Sequence, residues 1–408
     1  MTRIRVVSIL AIAVWGCGQQ STRTGPPESP LGGNVSGPPI LGVDWGRAPS
    51  VERPTNYAET VPPSYTGTHP ILRIPGQAYM EDVVGVPGGG FVSVGYVPPD
   101  WQPAAWTSPD ALTWSIHAMG TTDFTFPVAL AVGADGTVVA VGRSGKAPMS
   151  WTSTDGTTWT EHAVSVLAGT AAERMNAVVA GSRGYVAGGS AGPELADRHA
   201  WFWTSEDGSD WRPVADDAAT FANSEVRAIA SSADGFVAVG VVGDAQHPTG
   251  AVAWTSSDGR RWTRVDDSAF DGGVAVSVVA APFGGFIAVG SDLDRKEAVV
   301  WTSQDGGHWT RAPTEASRRY PGDYVWMTDV ASVDDRVIGV GVFQGLQRGT
   351  ATSWTSRDGM TWERARIAPS QEGSEFYAIT AGGPGAIVVG AYGAPDSYVP
   401  EAWLTPAR

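Results

Sequence analysis

The sequence predicts an all-β fold, a seven-bladed β-propeller of four-stranded antiparallel blades whose ring is closed by an N-terminal strand. Three observations predict it. The string Trp-Thr-Ser-x-Asp-Gly-x-x-Trp runs from Trp151 to Trp159 and recurs at Trp203, Trp254, Trp301 and Trp354; a degraded copy starts at Trp106, with Ala111 in place of Gly, and a seventh begins at Trp403. A short apolar run ends in glycine ahead of every copy, at Gly95, Gly142, Gly189, Gly240, Gly290, Gly341 and Gly390, giving a repeat of about 49 residues, the size of one propeller blade. The composition agrees: 52 Gly, 29 Pro and 18 Trp in 408 residues, with 17% charged, suit short strands and tight turns better than helices.

In chain order, residues 1–16 read as a secretory signal: Arg3 and Arg5, then an apolar run over 6–15 that is too short to span a bilayer. It ends in Val14-Trp15-Gly16-Cys17, and Cys17 is the only cysteine. One cysteine allows neither an internal disulfide nor a zinc site with several thiolates. Residues 17–66, rich in Pro, Gly and Ser, are expected to form a tether, and 67–408 the propeller. Within one unit, the fourth, strands are expected over 226–231, 236–242, 251–256 and 261–265, with turns at Asp234-Gly235 and Asp258-Gly259. The last unit has no room for a fourth strand after Trp403, and 70–75 is expected to supply it.

The net charge is −15. That balance lacks the basic footprint of a nucleic-acid binder or of a polybasic membrane patch. Neither His-Glu-x-x-His nor a phosphate-binding loop occurs. No cofactor and no metal site are expected.

The string resembles the Asp-box (BNR) repeat of the sialidase-like propellers, here one residue shorter between Asp and Trp. The resemblance covers about residues 70–408. Asp110, Asp155, Asp207, Asp258, Asp305 and Asp358 are read as turn-forming groups that accept backbone N–H bonds, and the resemblance places them on the rim away from the ligand face. The segment ending at Cys17 resembles a bacterial lipobox. That implies acylation of Cys17 and a protein exported and lipid-anchored on the outer side of a bacterial cell membrane.

Departures from the repeat mark where a ligand would sit. Alignment of the units puts Asp82, Arg174, Asn176, Glu225, Arg227, Trp326, Thr328, Glu375 and Tyr377 near the start of each first strand, on the face with longer, dissimilar loops. Those loops add Trp101, Asp197, His199, His247, Asp292, Arg295 and Tyr398. The reading is a binding or scaffolding module for a protein or glycan partner. The alternative is a sialidase-type glycosidase. Leu72-Arg73-Ile74-Pro75 is similar to the family's Phe/Tyr-Arg-Ile-Pro, which implies that Arg73 belongs to a three-arginine clamp on a substrate carboxylate, beside a Tyr nucleophile activated by Glu. In that case the three arginine heads converge on one pocket; a binding module presents an exposed aromatic or apolar patch instead.

Overall fold

The computed structural model describes residues 46–47, 50–51 and 77–404, apart from loop segments at 166–171, 193–197, 215–217, 244–247, 314–323, 345–348, 367–372, 383–384 and 394–398. Seven antiparallel sheets follow one another around a ring. In each blade the first strand, A, lies at the channel and the last, D, at the circumference. Blade 4 shows the plan: Ser224–Ser232, Gly235–Gly243, Pro248–Ser256 and Thr263–Val265, paired in that order. Among the described residues, helix is confined to one turn at Ala218–Phe221 and a 3-10 turn at Ser268–Phe270.

The core lies between blades. A sheet covered on both faces must bury side chains on each, and each seam has its own cluster. Trp203 and Trp211 of blade 3 pack with Val139 and Val141 of blade 2. Trp254 and Trp262 of blade 4 pack with Phe202 of blade 3. Trp106 of blade 1 lies with Ala378, Ile387 and Val389 of blade 7, so the ring closes on an apolar seam. The leading Trp of every unit, 106 through 403, is fully buried. Each therefore removes a large apolar area from water against the blade that precedes it.

The repeated aspartates build the turns between strands C and D. Asp207 Oδ1 accepts the N–H of Ser209 at 2.9 Å and of Asp210 at 3.1 Å, Ser205 Oγ accepts that of Gly208 at 2.8 Å, and Trp211 Nε1 donates to the Gly208 carbonyl at 2.9 Å. The same set recurs around Asp155, Asp258, Asp305 and Asp358. Around Asp110 it survives with Ala111 in the Gly position at φ 63°, a left-handed conformation that a side chain makes costly.

Closure differs from the expectation in its residues. The edge of blade 7 beside Val399–Leu404 is taken by Gly46–Arg47, with Arg47 opposite Trp403. Ser50–Val51 then runs parallel to strand D of blade 1, opposite Thr113 and Trp114, and gives that blade a fifth strand. One N-terminal segment thus crosses the seam between the last blade and the first. The strand expected at 70–75, with Arg73, lies outside the described residues; so do Cys17 and the signal. Residues 46–51 fall within the stretch read as tether.

Candidate functional site: the loop-face mouth of the channel

A bulge shapes the mouth. In every blade the pairing of strands A and B slips by one residue at the same place, leaving Glu81, Val128, Asn176, Arg227, Val276, Thr328 and Tyr377 unpaired. A bulge bends its strand and re-aims side chains. It also explains the glycine column. A Cβ on Gly240 would stand 1.9 Å from the Glu225 carbonyl oxygen, and one on Gly189 2.0 Å from that of Arg174; the other five glycines meet strand A in the same way. Only glycine lets the bulged strand come that close.

The bulges of blades 3 and 4 bring Arg174, Asn176, Glu225 and Arg227 together. Glu225, side chain 2% exposed, receives Arg174 Nη2 at 2.5 Å and Arg198 Nη1 at 2.7 Å, with Arg227 Nε at 3.6 Å. Asn176 Nδ2 donates to it at 2.7 Å. Burial works to raise the Glu225 carboxyl, and Arg174, Arg227 and Arg198 overcome it, holding it far below the usual range. The guanidinium groups exceed this one carboxylate. Burial and then Arg174 depress Arg198, and burial depresses Arg227 in spite of Glu225. The Nε of Arg174 and of Arg227 are buried without an acceptor.

Arg143, on strand B of blade 2, is the fourth arginine. It is half-buried, lies 4.2 Å over the Phe126 ring, and donates one bond, to the Gly145 carbonyl at 2.7 Å. Burial, followed by repulsion from Arg174, pushes it down to about 10. Neither Arg143 nor Arg198 stood out in the sequence. Arg143 directly follows a column glycine, as the mouth residue Tyr96 does, and that was the available signal. Arg198 lies in an irregular loop between Asp197 and His199 and gave none.

Beside Arg143 an aromatic group spans blades 1 and 2. Tyr79, Tyr96, Trp101 and Phe126 stand with ring centroids 5.1–6.1 Å apart, and Tyr377 of blade 7 packs against them. Trp101 has φ 58° and its neighbour Phe124 φ 55°; the two loops are tied by Phe124 N–H to the Asp100 carbonyl and Thr125 N–H to that of Trp101, both at 2.9 Å. A bulky side chain at positive φ is a genuine outlier. Phe124 is 56% exposed, and nothing in the repeat marks it, because the loops before strand A do not align.

The remaining candidates are dispersed. Tyr377 donates to Glu375 at 3.2 Å. Trp326 of blade 6 is half-buried, its ring edge-on to Tyr324 at 4.8 Å. Thr328 bonds the carbonyls of Val340 and Phe376 and fastens blade 6 to blade 7. Asp292 holds Arg311 and the turn N–H groups of Asp294 and Arg295. His199 starts strand C of blade 3; Asp197, His247 and Tyr398 lie outside the described residues. Asp82 sits deeper. Its carboxylate accepts Val83 N–H and, from blade 2, Leu130 N–H, both at 2.7 Å. Asp329 likewise accepts Val330 N–H, Ile379 N–H of blade 7 and the Ser277 hydroxyl. Burial, with repulsion from Asp329 next, raises Asp82 to about 8, and burial raises Asp329 to about 6. The other five blades carry Ala or Ser at this post-bulge position. Among the described residues no three His, Cys, Asp or Glu side chains are grouped to hold a metal ion.

No family model matches the chain, and no curated protein matches it. Solved structures do. A structure of YCF48 bound to D1 peptide is 14% identical with a TM-score of 0.52, over 80% of this chain and 93% of that one. YCF48 from Cyanidioschyzon merolae gives 14% and 0.52 over 88% and 98%. Trypanosoma rangeli sialidase gives 12% and 0.51 over 88% of this chain and 59% of the other, so the chain spans about three-fifths of that enzyme. At these identities the likeness shows a shared propeller fold.

Proposed function

We propose that this protein is an exported, lipid-anchored binding module that holds a protein partner on the loop face around the channel mouth. The observation that carries the reading is the pair of strained aromatics at blades 1 and 2, with Phe124 held outward. Backbone strain concentrates where a structure keeps a functional geometry, and exposed aromatics are common anchors at interfaces. A neighbour of the same fold, YCF48, is seen with a peptide bound, which supports a protein partner before a glycan. The export signal and Cys17 support the anchor.

The sialidase-type reading has one favourable observation: arginines converge, and a Tyr–Glu pair exists, Tyr96 Oη donating to Glu81 at 2.6 Å. The convergence point, however, is already filled. Arg174 and Arg198 are bonded to the carboxylate of Glu225, where that chemistry requires heads open to the substrate.

Replacing Phe124 with a photoreactive phenylalanine tests the reading. Crosslinking in the envelope of the native host is expected to trap one discrete partner from position 124 and none from Ser209 on the opposite rim. Equal labelling from both positions overturns it. Release of a fluorophore from a sialoside by the purified protein would instead support the glycosidase.

A further inference from the structure

Resting on that reading, we infer that the mouth takes an extended, near-neutral peptide segment in which one carboxylate side chain lies within a residue or two of a bulky apolar one. The apolar side chain lands on Phe124 and Trp101, and the carboxylate on Arg143 and the outer edge of Arg174.

Three observations on the two sides of the patch fix this chemistry. First, the cationic charge is in excess and partly open. Arg143 uses one donor, on the Gly145 carbonyl, and the Arg174 side chain is 26% exposed. A planar guanidinium with free donors matches a carboxylate better than it matches a neutral group. Second, the neighbouring neutral and acidic groups are spent. Tyr96 binds Glu81, Tyr377 binds Glu375, Gln102 binds Asp123, and Thr125 binds Ser144. A polyhydroxylated glycan would need such groups for its hydroxyls; an apolar side chain next to a carboxylate does not. Third, the chain as a whole carries −15. Beyond about 10 Å its field repels a strongly acidic partner, so the local cluster selects a single carboxylate in apolar surroundings. Arg143 lies between the two subsites by construction, since Phe126 pairs with Arg143 across strands A and B and Gly145 N–H bonds the Phe124 carbonyl.

The probe is the pentapeptide acetyl-Gly-Phe-Leu-Glu-Gly-amide against its Gln counterpart, titrated into the intact secreted chain by NMR. The Glu peptide is expected to bind at least tenfold more tightly than the Gln peptide. Arg143→Gln is expected to erase that ratio, and Phe124→Ala to weaken both peptides alike. Equal affinity for the two peptides overturns the inference, as does a Glu preference that persists in Arg143→Gln, or oligogalacturonate binding where the peptides do not. The peptide comparison uses the unaltered protein and so does not depend on how a variant folds. If position 124 still crosslinks one partner while neither peptide binds at millimolar concentration, this inference fails and the binding module stands. If position 124 traps nothing specific as well, both fail.

Discussion

The two faces of the ring use the same residue types to opposite effect. On the rim, the aspartates of the repeated turns are wrapped in backbone N–H groups and lie near water, and hydrogen bonds pull their carboxyls down: Asp305, bonded by the His308 ring and then by the N–H groups of Gly307 and His308, falls to about 2. In the channel, Asp82 and Asp329 also accept backbone N–H groups, yet burial pushes them up. The arginines divide likewise. Arg260 and Arg261 are exposed beside Asp258 on the rim, whereas Arg174, Arg198 and Arg227 crowd around Glu225 at the mouth. Where the chain repeats, each polar group is satisfied by its own turn. Where it departs from the repeat, charge is left in excess and backbone is held in costly conformations. The difference supports the proposal of a binding role for the second region, since such arrangements survive only when the surrounding scaffold over-determines them.

Glu225→Gln should separate the faces most strongly. It leaves Arg174, Arg198 and Arg227 without their counter-charge, and removing one member of a buried ionic group costs about 3–5 kcal/mol; chemical denaturation should show that loss. A result near zero would mean that solvent already screens the cluster. Gly240→Ala comes next, at about 3 kcal/mol, because a Cβ has backbone on it and the bulge must flatten. Its calorimetric transition should move well below that of the unaltered protein. On the rim, Asp207→Ala removes the acceptor of two turn N–H groups beside solvent and should cost about 1–2 kcal/mol, with binding at the mouth unaffected. The pH dependence then divides the two sets of aspartates. Asp82 and Asp329 hold their protons more tightly in the native state than in the unfolded chain. Their contribution is therefore complete below pH about 4 and is lost as pH rises toward 8. The rim carboxylates do the reverse, and their stabilisation is lost on acidification below about 4. Thermal melts from pH 5 to 8 should thus fall less steeply for Asp82→Asn than for the unaltered protein. The smallest effect has the opposite sign. Phe124→Gly relieves a positive φ and should raise stability by up to about 1 kcal/mol while abolishing partner capture.

The scaffold was legible because it is repeated. The two tryptophans, the Asp turn and the glycine column each recur at fixed spacing, so blade number and strand order followed directly. The cause of the glycine column did not, since a bulge is a relation between two strands and only one of them carries the mark. The mouth was half legible. Arg174, Asn176, Glu225 and Arg227 were singled out by their register position, but Arg143 belongs to the next strand and Arg198 to a loop, and only folding unites them. Phe124 was invisible because its importance rests on a backbone angle. Closure was assigned to 70–75 because that stretch precedes the first unit, while the pairing at Gly46–Arg47 spans two residues and has no periodicity to read.

That closure carries a consequence in time. The last blade acquires its outer edge from Gly46–Arg47, and the first blade is buttressed by Ser50–Val51, so the seam joins residues made early to residues made late. Contacts so distant along the chain form slowly, after long loops have closed. Until Trp403 has emerged, Arg47 has no partner and six blades stand as an open arc with an unsatisfied edge. Such an intermediate is prone to pair with its own kind. The chain must therefore be kept from association until the ring has closed on the apolar seam between its last blade and its first.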